Sequence, residues 1–177
     1  MATFDIGKIR SFYGSKSAVW YAPAGTARPV GMEEVPTGYT LVGALSSKGV
    51  GENREVDTES ENIWQGAVAF ENVSSATMKV DFEAMEHTGA VFDLLNNSEI
   101  EVMGEYSEQV VAVGEPSPVR EFVVDAYDGN VLHRMLFRGK ARMSGEKRFE
   151  AGKASFYPVE ITVEGATAVI RTNDPNF

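Results

Sequence analysis

Asp57, Glu59 and Glu61 place three carboxylates at alternate positions, the opening of a loop whose oxygens converge on one hard cation such as calcium. The pattern then fails. Its sixth position is Asn62 where glycine is needed, and its twelfth is Val68 where glutamate is needed. The run from Glu52 to Glu61 therefore reads as a solvated acidic loop. His87 and His133 share no metal-ligand spacing with an acidic neighbour and read as turn and strand residues. Gly145 and Gly152-Lys153 stand too far apart for a phosphate-binding loop, and Ala154 replaces its serine or threonine. There is no nucleophile elbow and no dinucleotide glycine pattern. Among 26 acids nothing singles out a hydrolytic pair, so no catalytic residue, cofactor or metal site is assigned.

One grouping is electrostatic rather than catalytic. Read as a strand, 131–143 puts Arg134, Arg138, Lys140 and Arg142 on the same side as Leu132 and Leu136. Four cations in a row on a sheet face repel one another and need partners. Acids such as Asp81 and Glu83, or those of a neighbouring subunit, would supply them.

The elements that carry these residues are mostly strands. Met78, Val80, Phe82 and Ala84 alternate with Lys79, Asp81 and Glu83, which is a strand with one buried face. Glu86-His87-Thr88-Gly89 breaks it. Ala90, Val91, Phe92, Leu94 and Leu95 then follow at helical spacing, with Thr88 as N-cap. Val119–Tyr127 and Val131–Met143 form a hairpin, because Asp128-Gly129 supplies the positive φ of a tight turn. Val159, Ile161 and Val163 alternate with acids and Thr162 as the last core strand. Ala18–Ala22, Tyr39–Leu45, Gly49–Asp57, Ile100–Met103 and Gln109–Val113 read as further strands, and 26–38 as an irregular loop. Trp64–Phe70 and Thr77–Ala84 read as a pair joined by Glu71–Ala76, while Arg171–Phe177 is too polar and short for a useful element.

Composition narrows the class. The 177 residues suit one domain, with a core over about 17–165, an N-terminal arm over 1–16 and a C-terminal tail over 166–177. No apolar run approaches the roughly 20 residues that span a bilayer, and the N-terminus lacks the apolar run of a signal peptide. Zero cysteines exclude disulfides and thiolate metal sites and fit a reducing cytoplasm. A net charge of −10 repels phosphates, so gripping a duplex is unexpected.

Several pieces then match a known family in order. They are Ala18–Thr26, Tyr39–Ser46 with Gly49, Glu55–Glu59 leading to Ile63-Trp64-Gln65-Gly66, and Thr77–Asn96 with its Glu86. The Val124-Asp125…Asp128-Gly129 hairpin and Tyr157-Pro158-Val159 complete the set. Over roughly 17–165 the chain resembles the major tail protein, or tail tube protein, of long non-contractile-tailed phages. It departs at Asn96-Asn97-Ser98, where relatives often carry an aromatic and a glycine.

The resemblance implies a mainly β fold, a β-sandwich or partly rolled barrel with one short flanking helix. It implies a structural, non-enzymatic virion protein, assembled in the host cytoplasm. Six copies close into a ring, and stacked rings form the tail tube through which DNA leaves. The implied partners are other copies, the tape-measure protein, the terminator and distal tail-end proteins, and passing DNA without sequence-specific binding. Gly51, Glu52, Arg54, Glu55, Asp57, Glu59, Glu61 and Trp64, in a 46–63 loop, become ring-stacking candidates. Asp81, Glu83, Arg134, Arg138, Lys140 and Arg142 become candidates for charge pairing between subunits. The alternative is a monomeric β-sandwich that binds a ligand or glycan on exposed Trp20, Tyr21 and Trp64.

Overall fold

The computed structural model describes residues 12, 16–32, 35–62, 68–96, 101–109, 111, 117–165 and 168–175. In chain order the elements are β1 (Ala18–Pro23), β2 (Thr40–Leu41), β3 (Leu45–Asn62), β4 (Val68–Ala84) and α1 (Gly89–Asn96). There follow β5 (Glu101–Met103), β6 (Tyr106–Glu108), β7 (Val119–Asp128), β8 (Val131–Met143), β9 (Tyr157–Val163) and β10 (Val169–Thr172). Eight strands form one antiparallel sheet in the order β2-β1-β7-β8-β9-β4-β3, with β10 joined to β8 beside β9. β5 and β6 form a separate small ribbon.

The sheet is rolled. β1 and β2 at one end and the start of β3 at the other line a common cleft of about 850 Å3, so the barrel stops short of closing. Its concave face holds the core: Val19 and Tyr21 of β1, Phe122 and Val124 of β7, Phe137 and Ala141 of β8, with Val159, Ile161, Val80 and Phe82. Phe122 and Phe137 are direct cross-strand partners and stack with ring centroids 5.3 Å apart. Val91 and Leu94 of α1 close this face.

The β7–β8 hairpin is as expected, with Asp128 opposite Val131 and Gly129 at φ 60° in the turn. Helix α1 spans Gly89–Asn96, and the Phe92 amide donates to the Thr88 carbonyl at 3.2 Å. Four expectations need correction. The acidic run is no loop: the strand read at Gly49–Asp57 extends over residues 45–62. The turn expected at Glu71–Ala76 is absent, because that stretch lies inside β4 and pairs with β3 from Val56 to Ser60. Of the 39–45 stretch Thr40–Leu41 form β2 and Leu45 opens β3, with 42–44 irregular between them, and the strand read at Gln109–Val113 lies largely outside the described residues. The C-terminal tail also forms a strand, Val169–Thr172, which anneals to the ready-made edge His133–Leu136. A four-residue strand needs no periodicity when an edge already offers its hydrogen bonds.

Among the described residues no helix is long and apolar enough to cross a membrane.

Candidate functional site

Three features set this chain apart from a self-contained β-domain. The first is the β3–β4 ribbon. β9 pairs with β4 from Lys79 to Ala84, so among the described residues the two strands pair only with each other from Arg54 and Met78 outward, Met78 itself still packing against the core. At about 3.3 Å per residue, Arg54–Asn62 reaches roughly 25 Å beyond the sheet. Glu52, Arg54, Glu55, Asp57 and Glu59 are all exposed on this arm, as are 72–76 of the facing strand. Ser75 donates its hydroxyl to the Asp57 carboxylate at 2.6 Å, and Ser74 donates to the Asp57 carbonyl at 3.1 Å. Gly51 lies at the arm's base, where the Asp81 carboxylate occupies the space a Cβ would need, 2.8 Å away. Glu61 falls opposite Phe70 in the ladder. Trp64 lies outside the described residues. The alternation that marks a strand was missing here because both faces of the ribbon meet water, leaving no face for apolar residues to mark.

The second feature is the basic row, whose members have separate fates. Arg134 is 1% exposed and forms a double hydrogen bond to its cross-strand partner Asp125 at 2.7 and 2.8 Å. A further Arg134 N–H donates to the Gly31 carbonyl at 2.7 Å. The loop over 28–31 therefore crosses the convex face of β7 and β8. Arg28 bonds Glu121 at 3.0 Å, and Arg171 of β10 donates to the Pro29 carbonyl. This cover explains why Leu132, Arg134 and Leu136 are buried on one side of β8, whereas Phe137, Gly139 and Ala141 are buried on the other. Beyond it the convex face is wet. There Lys140 meets Glu164 at 2.7 Å, Arg142 meets Glu160 at 2.8 Å, and Arg138 stands opposite Glu121. Asp81 faces Gly51 and Glu160, and Glu83 is bonded by Lys48. Hydrogen bonds from Lys48 and then Ser46 hold the Glu83 carboxyl below its ordinary range. The row's partners within the chain are thus Asp125, Glu160 and Glu164 rather than Asp81 and Glu83.

The third feature is the pole where α1 sits. Tyr21 projects from β1 to lie 2.9 Å from both the Asp93 carboxylate and the Ala90 carbonyl. Arg120 holds Asp93 at 3.0 Å and stacks over the Tyr21 ring at 5.0 Å. Burial, and then the Asp93 hydrogen bond, push the Tyr21 phenol well above its ordinary value. Tyr21 is 3% exposed, so it cannot belong to an exposed aromatic platform. Glu86 accepts the Ala44 amide at 2.8 Å and fills the space beside Gly43, whose φ of 109° suits glycine. At the same pole the loop 144–156 is pinned by Lys147. Its ammonium lies 3.8 Å from the Tyr157 ring centroid, 4.4 Å from Phe149 and 3.2 Å from His87 Nδ1. Nothing in the spacing of Lys147 and these aromatics signalled that box, since it joins three separate elements.

Among the described residues the 18-residue strand β3 stands at the edge of the sheet, and a long sheet edge is a template for pairing with another chain. A family model described as phage tail tube protein matches residues 7–171. The chain belongs to that family. This tail tube protein is accordingly a structural component of a virion tail, of a kind that assembles into a tube. No curated protein matches the chain.

Proposed function

We propose that six copies of this tail tube protein close into a ring and that rings stack, through the β3–β4 arm, into the conduit for DNA ejection. The arm carries the reading. A two-stranded ribbon with no core of its own is marginal in water, and it gains a rationale once a neighbour covers it. Gly51–Glu61 and Trp64 are then the stacking segment, and the chain is one tail-tube domain. Free edges of β3 and β2 pair or are covered within the ring.

The convex face suits a channel wall. Most cations there are offset by acids: Lys140 and Arg142 meet Glu164 and Glu160, Lys48 meets Glu83, and Asp81 stands near Lys79. A face with little surplus positive charge gives DNA little counterion-release driving force to stick. The partners are other copies, the tape-measure protein and the tail-end proteins, with assembly in the host cytoplasm. The chain acts as a structural element rather than a catalyst.

Chromatography with negative-stain imaging tests the reading. Rings and tubes are expected, increasing with concentration by mass action. A variant with Glu55–Thr77 replaced by a tight turn should stay folded and make no long tubes. A monodisperse monomer at high concentration across salt conditions, or normal tubes from the shortened variant, would overturn it.

A further inference from the structure

The arm and the α1 pole lie at opposite ends of the sheet. β4 leaves the body past Lys79, whereas its other end, Ala84, pairs with Tyr157, the residue at which the loop 144–156 re-enters the sheet. Lys79 to Ala84 spans roughly 17 Å along the strand, so the arm projects away from that loop. In a head-to-tail stack, what protrudes from one pole of a subunit must meet the other pole of the next.

The two ends are also complementary in charge and shape. Over 54–59 the arm carries three acids against Arg54 alone, with Glu52 just below its base. The loop 144–156, in a chain of net charge −10, carries Lys147, Arg148 and Lys153 against Glu146 and Glu150. Arg148 and Lys153 lie at the surface, paired with the nearby Glu146 and Glu150. Such exposed pairs are weak and exchange partners readily. Between them stands Phe149, 78% exposed, while Val56 and Val73 are exposed on the arm. The aromatic box around Lys147 fixes the loop in advance, which lowers the ordering cost of docking. Aromatic and arginine anchors of this kind dominate interface energies.

We infer that the loop 144–156 is the receptor for the arm of a second copy of this chain, with Arg148 and Lys153 taking its carboxylates and Phe149 its apolar patch. The inference rests on the stacking reading above.

The test is charge reversal with rescue in the full chain. Arg148→Glu with Lys153→Glu should leave rings intact but shorten tubes about tenfold or more, because like charges then face each other at every contact. Adding Glu55→Lys and Glu59→Lys should restore length. Phe149→Ser, at a side chain 78% exposed whose ring contacts within the chain are with Lys147 and His87, should shorten tubes independently, whether or not the charge variant folds. Tubes of ordinary length from both the reversed and the Phe149→Ser proteins would overturn the docking while leaving stacking intact. Wild-type chains that never form tubes would overturn the stacking reading, and the docking with it.

Discussion

The β7–β8 hairpin and the β3–β4 arm are both long antiparallel ladders in one sheet, yet they sit in opposite surroundings. From Arg120 to Asp125 every residue of β7 is buried, since the core covers one face and the 28–31 loop the other. From Glu52 to Glu59 every residue of β3 is exposed. Backbone pairing is the same in both. What differs is the apolar surface removed from water, the main favourable term in folding. The body buries a core of its own, whereas the described residues of the arm beyond its base are held by backbone pairing with little apolar burial.

The largest expected effect breaks the body at its buried ion pair. Arg134→Met leaves Asp125 charged and uncompensated, and should cost about 3–5 kcal/mol in denaturant unfolding. Adding Asp125→Leu should recover most of that loss, because an apolar pair of similar volume needs no charge partner. A double variant as unstable as the single would show that the 28–31 cover, rather than the charge, holds this face.

A middle-sized effect lies at the α1 pole. Tyr21→Phe removes the phenol bonded to Asp93 and Ala90, and should cost about 1 kcal/mol at neutral pH. The phenol's value is raised on folding, so its contribution is complete below the unfolded value near 10 and is lost as pH rises past it. Wild type should therefore lose stability on that alkaline limb, and Tyr21→Phe should show a flatter one. Parallel limbs in thermal melts would refute the sign.

The smallest effect sharpens the contrast. Val56→Ser and Val73→Ser on the arm should change the melting of isolated subunits by no more than about 0.5 kcal/mol, as surface substitutions do. A large loss would mean that the arm folds back on the body.

The elements legible from the sequence are those with one wet face and one dry one. Met78–Ala84 and Val159–Val163 alternate because each presents a single face to the core, and period two records that directly. Ala90–Leu95 and the Gly129 turn were readable for similarly local reasons. The arm's first half was legible as the strand Gly49–Asp57, but its continuation to Asn62 and its pairing with 71–76 were not, because a ribbon wet on both faces has no pattern to display. The row Arg134, Arg138, Lys140 and Arg142 looked uniform along the strand. Its division came from elsewhere in the chain: the Gly31 carbonyl, 103 residues away, arrives over Arg134, while Arg138, Lys140 and Arg142 stay in water.

The sequence by itself determined the strand-rich class, the hairpin, the helix and the likeness to tail tube proteins, since local periodicity and turn chemistry are written residue by residue. Only the tertiary structure decided which cation is buried, that the strand read at Gly49–Asp57 runs from 45 to 62, and that the arm and the loop 144–156 lie at opposite poles. Those depend on which distant segment covers which face, and burial is a property of the assembled surface rather than of any stretch of chain.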